Sequence, residues 1–344
     1  MGRPRDRSVK TAERPLKHLN LFLSIALILL GLLSISCSGR DSVRLMFWNV
    51  ENFMYPTDNP LTKDDPYIFN DWIGYTEKAY LHKLENISSV LNSMSPTLAA
   101  FAEIEDMTVL KDLRSQLHHS ESWQILHRDS PDRRGIDTAL LYRSDRLELV
   151  DKSWVESKLD SDVPSRDILL ATFRYQGYIF NIIVLHWPSR YGKGEGHTLR
   201  MSAAEQLSQL VNTEYSDSGN PLILTGDFNA ELKDPSLQYL LSSLKTMAGT
   251  QQRRLLTDKH SQPVKSYWYR GEWKHYDHFI LSTPIQSKLC FTASGIYWRR
   301  SMLHDEGEGP RPFRFISSRR IIGGFSDHLP VYIDCYLRNE NSLR

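Results

Sequence analysis

The run Leu222-Ile223-Leu224-Thr225-Gly226-Asp227-Phe228-Asn229 constrains the fold more than any other stretch of the chain. A segment with the character of a buried strand stops at a glycine, and two polar residues follow with an aromatic residue between them. On an extended backbone alternate side chains share a side, so Asp227 and Asn229 face one way while Phe228 turns into the core. Such a pair can hold and orient a small polar species, for example an attacking water. Other apolar runs end in the same manner. Asn49 and Glu51 follow Leu45-Met46-Phe47-Trp48, and Glu103 comes after Leu98-Ala99-Ala100-Phe101-Ala102. His186 closes Tyr178–Leu185, Asp277 and His278 precede Phe279, and Asp327-His328 stands before Leu329-Pro330-Val331. Strand ends that repeatedly carry acid, amide and imidazole groups are the signature of an enzyme.

Strand-like runs occur at Val43–Val50, Thr97–Ala102, Thr138–Tyr142, Ile168–Phe173, Tyr178–Leu185, Leu222–Thr225, Phe279–Leu281 and Val331–Tyr336. Helical periodicity lies between them. Thr76–Leu91 places Ala79, Tyr80, Leu84, Ile87 and Leu91 on roughly one face, and Thr198–Val211 repeats Leu199, Ala203, Leu207 and Val211 at helical spacing. Strands mixed with a few long helices predict a layered α/β fold. Tyr55–Ile73, Ser189–His197 and Ser301–Arg320 are rich in Gly, Pro and charge and read as surface loops. With no internal repeat and no linker composition, residues 38–344 are expected to form one domain.

Residues 1–37 read as a signal peptide of lipoprotein type. Arg3, Arg5, Arg7, Lys10, Arg14 and Lys17 form a basic leader, Leu19–Ile35 is almost wholly apolar, and Ser34-Ile35-Ser36-Cys37 follows. Cys37 would become the lipidated first residue, although Ser34 stands where a leucine is usual. A cleaved soluble product and an uncleaved anchor are the alternatives. The predicted location is the cell envelope or surface, otherwise secreted or periplasmic. The leader holds six basic and two acidic residues, so a total charge of +1 leaves about −3 on the remainder. That balance argues against a tight sequence-reading nucleic-acid binder, but not against an enzyme that meets phosphates locally. Beyond Cys37 only Cys290 and Cys335 remain, expected as two core thiols, so a Cys-rich zinc site is excluded.

Glu103 interrupts an apolar run, and a buried lone carboxylate is costly unless paired or metal-bound. Oxygen ligands of this kind suit Mg²⁺, with Mn²⁺ or Ca²⁺ possible. His186 opens onto Pro188, Ser189 and Arg190, the start of a loop where a substrate-facing group is expected. His328 suits acid/base or phosphate chemistry with Asp277 as its orienting carboxylate. Arg133 or Arg134, before Gly135, offers a fork for a phosphate oxygen. The sequence has no Gly-x-Ser-x-Gly elbow, phosphate-binding P-loop, dinucleotide fingerprint or His-Glu-x-x-His element. An oxygen-rich metal site beside two histidines and an arginine suits hydrolysis of an anionic ester.

The chain resembles the endonuclease/exonuclease/phosphatase superfamily, which includes pancreatic-type deoxyribonucleases, abasic-site endonucleases, inositol-polyphosphate phosphatases and neutral sphingomyelinases. The resemblance runs from Val43 to about Tyr336. It rests on Trp48-Asn49-Val50-Glu51-Asn52-Phe53, Ala102-Glu103-Ile104-Glu105, Arg134-Gly135-Ile136-Asp137 and Leu185-His186-Trp187-Pro188-Ser189. Gly226-Asp227-Phe228-Asn229, Tyr276-Asp277-His278-Phe279 and Ser326-Asp327-His328-Leu329-Pro330 complete it. The resemblance implies a four-layer α/β sandwich, two mixed β-sheets flanked by helices, with the active site at one edge of the sheets. It implies that Glu103 binds the metal, that Asn49 helps hold the metal or the phosphate, and that Asp327 belongs to the metal and nucleophile network. Asp227, with Asn229, would orient the nucleophilic water, His328 held by Asp277 would bind the scissile phosphate, and His186 would donate to a non-bridging oxygen or assist the leaving group.

His186 stands where abasic-site endonucleases usually have tyrosine, and Tyr267-Trp268-Tyr269-Arg270-Gly271-Glu272-Trp273 resembles secreted bacterial members of the family. Its aromatics either stack on bases or pack as a hairpin on the sheet. The expected activity is a Mg²⁺-dependent phosphodiester hydrolase, an exported nuclease on DNA or RNA without sequence specificity, acting as a monomer. The same chemistry on a phospholipid headgroup or small phosphoester, and a non-catalytic surface-binding protein on this scaffold, are the alternatives.

Overall fold

The computed structural model describes residues 42–57, 74–160, 164–190, 195–215, 219–244, 250–255, 265–284, 289–305, 309–318 and 320–337, with Gly2 and Gly307. The chain divides into Met1–Asp41 and Ser42–Arg344, and the leader with Cys37 lies outside the described residues. Among those residues no helix is long and apolar enough to cross a membrane.

In chain order the second unit opens with β1 (Ser42–Phe53), α1 (Glu77–Met94), β2 (Leu98–Ile104), α2 (Met107–Ser115), β3 (Trp123–His127), β4 (Asp137–Arg143) and β5 (Glu148–Val155). It continues through β6 (Ile168–Tyr175), β7 (Tyr178–His186), α3 (Glu195–Glu214), β8 (Leu222–Asp227), α4 (Pro235–Leu244) and β9 (Thr250–Leu255). The last part contains β10 (Tyr267–Tyr269), β11 (Glu272–Lys274), β12 (Asp277–Pro284), β13 (Leu289–Ile296), β14 (Leu303–Asp305) and β15 (Pro310–Pro312). Two short strands, β16 (Ile316–Ser317) and β17 (Arg320–Ile321), precede β18 (Val331–Leu337).

Two six-stranded sheets carry the fold, in the orders β13-β18-β1-β2-β4-β3 and β5-β6-β7-β8-β12-β9. Each is mixed, because β1 runs parallel to β2 and β7 parallel to β8 while their other pairs are antiparallel. Strand alternation sorts the side chains. Val43, Leu45 and Phe47 of β1 join Phe173, Ile182, Val184 and Ile223 in one cluster between the sheets. Met46, Trp48 and Val50 point the other way, onto Tyr80, Ile87, Leu91, Val109 and Leu113 of α1 and α2. On the second sheet Leu222 and Leu224 meet Ala204, Leu207, Leu237 and Leu240 of α3 and α4. Each sheet therefore buries both faces, and the result is the four-layer helix–sheet–sheet–helix sandwich.

The helix expected from Thr76 starts with Thr76 as its N-cap, whose hydroxyl accepts from Ala79 N at 3.3 Å. It runs to Met94 and stops at Ser95 in the left-handed region. Two helices, α2 and α4, were not legible as periodicity because each spans few turns; Asp106 caps the first and Pro235 opens the second. Edge strand β5 was also missed, since its exposed face carries Glu148, Asp151 and Lys152. Both described cysteines are free thiols, and Cys335 is buried.

The reading of Ser301–Arg320 as a surface loop is corrected. The described part of this segment forms a β14–β15 hairpin and half of a β16–β17 pair, and it buries Phe315 completely in the outer core of the first sheet. Gly and charged residues signal irregular backbone, but they carry no information on whether an apolar anchor ties that backbone down.

Candidate active site

Sheet register assembles the site. In the second sheet Asp227 is directly opposite His186 on β7 and Asp277 on β12, so three adjacent strands end in one row of polar side chains. Asp227 occupies its centre, with its Oδ2 3.7 Å from His186 Nε2 and 3.7 Å from His328 Nε2. His328 comes from the other sheet, on the turn that leads into β18. That turn is pinned to β1: Trp48 Nε1 donates to His328 O at 2.9 Å, and Ser326 Oγ donates to Asn49 O at 2.7 Å.

Asn49 links the two sheets. Its Nδ2 donates to Asp227 Oδ2 at 3.1 Å and to Glu103 Oε1 at 3.3 Å, while its Oδ1 accepts from Glu51 N at 3.0 Å. The ladder is broken at this point on both neighbours, with register shifts between Asn49 and Phe53 and between Ala102 and Ile104. Glu51, Asn52 and Glu103 all take positive φ, 56°, 49° and 66°. These bulges turn Glu103 toward the cavity, where Asn52 N donates to its Oε2 at 2.9 Å. Asn229 also has positive φ, 47°. It therefore reaches the site by a left-handed turn rather than by the extended alternation expected from the sequence, although Phe228 is fully buried as expected. Asn229 N donates to Asp227 Oδ1 at 2.8 Å and fixes that carboxylate.

These groups line a cavity of about 720 Å³. Asn49, Glu103, Arg134, His186, Asp227, Asn229, Asp327 and His328 all border it, as do Tyr267–Gly271 of the aromatic hairpin and Arg311 and Arg314. Asp277 and Arg190 do not border it, although Asp277 takes the orienting position beside His328 that the sequence predicts. Asp277 lies beneath the surface, where its Oδ2 accepts from His328 Nδ1 at 2.8 Å. Arg190 donates to Asp234 at 2.8 Å and covers the Tyr276 ring.

Burial pushes Asp227 up to about 7; His328 opposes the rise and Asp277 adds to it. Burial alone would lower His328, but Asp277 and Asp227 outweigh it and raise the imidazole to about 10. His186 moves the other way, held well below its ordinary value by burial and by Arg166 and Arg134. The site thus presents a cationic His328, a neutral His186 and a carboxylate poised near neutrality between them.

The donor set fits a hard divalent cation. Glu103 offers a carboxylate at the cavity floor, Asp227 and Asp327 add further oxygens, and Asn49 Oδ1 retains a lone pair beyond its bond to Glu51 N. Among the described residues, two groups of acidic and histidine side chains lie close enough to hold a metal, Asp227-Asp277-His328 and His127-Asp129-Asp137. In the first, His328 Nδ1 and Asp277 Oδ2 are already joined by a 2.8 Å hydrogen bond. The second lies outside the cavity, at the end of β3 and the start of β4.

Nothing in the local sequence gives Glu51 a role or marks Arg314, yet both belong to the site's surroundings with Lys83. Glu51 is buried; it accepts from Phe315 N at 2.6 Å and from Arg314 Nε and Nη2 at 3.2 Å each. Lys83 is fully buried beside it and donates to the Glu51 carbonyl oxygen. The one available signal for Lys83 was its position inside the Tyr80, Leu84, Ile87 stripe of α1, where a lysine is out of place unless it is paired.

The profile of the endonuclease/exonuclease/phosphatase family matches residues 44–337. The chain belongs to this family. Solved structures share its fold. An endonuclease/exonuclease/phosphatase family protein from Bacteroides thetaiotaomicron is 16% identical with a TM-score of 0.57, covering 88% of this chain and 97% of its own. The human Nocturnin catalytic domain with bound sulfate anion is 17% identical with a TM-score of 0.57, covering 87% and 98%. A mannosyl-6-phosphatase of Bacteroides thetaiotaomicron is 16% identical with a TM-score of 0.54, covering 86% and 100%. No curated protein matches the chain.

Proposed function

We propose that the chain is an exported, divalent-metal-dependent phosphodiester hydrolase acting on DNA or RNA without sequence specificity. The observation that carries this reading is Asp227 lying between His186 and His328, 3.7 Å from each, beside a cavity bordered by carboxylates and arginines. Asp227, fixed by Asn229 N and Asn49 Nδ2, receives the proton of the attacking water. His328, oriented by Asp277, donates to a non-bridging phosphate oxygen as charge builds there, and Arg134 contributes a second cationic donor. Neutral His186 donates from Nε2 toward the phosphate or the leaving oxygen. A divalent cation held by Glu103, with Asn49 and Asp327, would supply Lewis-acid stabilisation of the phosphate charge.

A nucleic-acid substrate is supported by the aromatic hairpin at the cavity rim. Tyr267 and Tyr269 stack at 6.4 Å with their planes 15° apart, and Arg270 covers the Tyr269 ring. Every base has a π-face that such a surface can meet. A second reading, a small phosphoester or phospholipid headgroup, draws on the arginines around one cavity and on the packing of β10 beside β15, which walls one side. The basic, apolar and cysteine-terminated leader supports export and a lipid anchor at Cys37.

The deciding experiment incubates the purified protein with plasmid DNA, RNA, sphingomyelin and bis-p-nitrophenyl phosphate, with Mg²⁺ and with EDTA. Mg²⁺-dependent cleavage of DNA or RNA is the expected result. Turnover confined to sphingomyelin or the small ester would replace the nuclease reading, and no turnover of any ester would leave a binding scaffold.

A further inference from the structure

The backbone around Arg314 is held more firmly than a surface segment needs to be. Phe313 N donates to Met302 O at 2.8 Å, and Phe325 N donates to Phe313 O at 2.6 Å. A Cβ on Gly324 would stand 2.1 Å from Phe313 O and 2.4 Å from Arg314 O, so the two chain segments approach as only glycine permits. Phe315 is fully buried beneath Arg314, with the Lys83 ammonium 4.5 Å from its ring centroid. Glu51 completes the clamp by accepting from Phe315 N and from the Arg314 guanidinium.

The charges explain part of this arrangement. Glu51 is a buried carboxylate and needs a cation. Buried Lys83 already lies beside it, and a guanidinium present only to neutralise Glu51 would be buried with it. Arg314 instead leaves 45% of its side chain exposed, and it borders the cavity. Its Nε and Nη2 face Glu51, and Nη2 also reaches Asp327 Oδ2 at 3.2 Å, next in sequence to His328. The opposite edge of the fork, Nη1, is the part left for a ligand. An arginine fixed through one edge by a buried acid presents the other edge at little further entropic cost, which is the geometry that recognises phosphate oxygens.

We propose that Arg314 is a substrate-binding residue, and that its Nη1 donates to a non-bridging oxygen of the phosphate bound beside His328. The proposal rests on the phosphoester reading of the site and adds to it a donor from the β15–β16 segment, outside the site motifs. The substrate class it implies is an ester whose phosphate offers two non-bridging oxygens, one to His328 and one to Arg314.

The test uses the full chain and inorganic phosphate as the probe. Arg314→Gln keeps an amide donor toward Glu51 but removes the charge and the second edge, whereas Arg314→Lys keeps the charge without the fork. Thermal unfolding reports folding, calorimetry in Mg²⁺ reports phosphate affinity, and bis-p-nitrophenyl phosphate reports KM and kcat. The expected result is phosphate affinity weakened about 10- to 100-fold in Arg314→Gln, with KM raised in proportion and only part of the loss recovered by Arg314→Lys. Unchanged phosphate affinity in a folded variant would make Arg314 a counter-ion of Glu51 and overturn the proposal. If Arg314→Gln does not fold, the same comparison is made with Arg314→Lys, for which wild-type affinity again overturns it. Arg314-dependent phosphate binding without hydrolysis of any ester would sink the hydrolase reading and leave the binding role standing.

Discussion

His328 Nδ1 donates to Asp277 Oδ2 at 2.8 Å, and both side chains are buried, one on the turn before β18 and the other at the start of β12 in the opposite sheet. This bond joins the two halves of the sandwich at the site. It fixes the imidazole so that Nε2 points at Asp227. His328→Ala should lower kcat/KM by about 100-fold or more, because the donor to the phosphate is lost. Asp277→Asn should lose less, and the double variant should lose far less than the two effects combined. Fully additive losses in steady-state kinetics would mean that the residues do not work as a unit.

The pH profile follows from the same groups. Asp227, raised to about 7, must lose its proton to act as a base, so activity should climb as pH rises through that value. His328, raised to about 10, must keep its proton, so activity should fall as pH passes it. Bound metal would move the rising limb to lower pH by favouring the carboxylate. Asp277 raises both groups. Asp277→Asn should therefore shift both limbs of kcat/KM toward acid, and a profile that only drops in height would contradict the electrostatic account.

Glu103→Gln should fold normally and lose most Mg²⁺-dependent turnover. The shape is nearly kept while one anionic ligand becomes neutral. A Mg²⁺ titration of activity, with thermal unfolding as the control, measures this. Wild-type turnover at equal Mg²⁺ would reduce Glu103 to a structural acceptor for Asn49 and Asn52 N.

Gly226→Ala should damage fold and site together. A Cβ at this position would stand 2.1 Å from Leu185 O, on the strand beside it. Gly226 precedes Asp227 and Leu185 precedes His186, so relief of the clash must move both of these cavity-lining side chains. Overpacking of this kind costs about 1–3 kcal/mol. Urea unfolding should show that loss, and activity should fall further than the fraction unfolded accounts for; wild-type stability would mean that the strands separate freely here.

Cys37→Ala should block lipidation and release the protein from the membrane fraction. Membrane affinity from acyl chains is about 0.8 kcal/mol for each buried CH₂. Unchanged mass and fractionation would remove the lipoprotein reading and leave export to be tested by itself.

The layered α/β class and most of the site were readable because they depend on local pattern. Leu222–Thr225 alternates into two cores, Thr76 offers a cap, and His186, Asp227 and Asp277 each stand at or beside the end of an apolar run. That these groups share an end of the second sheet was decided by pairing, since β7 runs parallel to β8 and β12 antiparallel to it. What sequence could not decide was pairing between distant segments. Arg190 was expected in the cavity and is held by Asp234 instead. Ser301–Arg320 looked like a surface loop, yet Phe315 anchors it and Arg314 returns to Glu51, which lies far away in the chain. Local periodicity records which face of an element is apolar. It does not record which buried charge will find which partner, because that is settled by the desolvation cost each group meets only after the layers close.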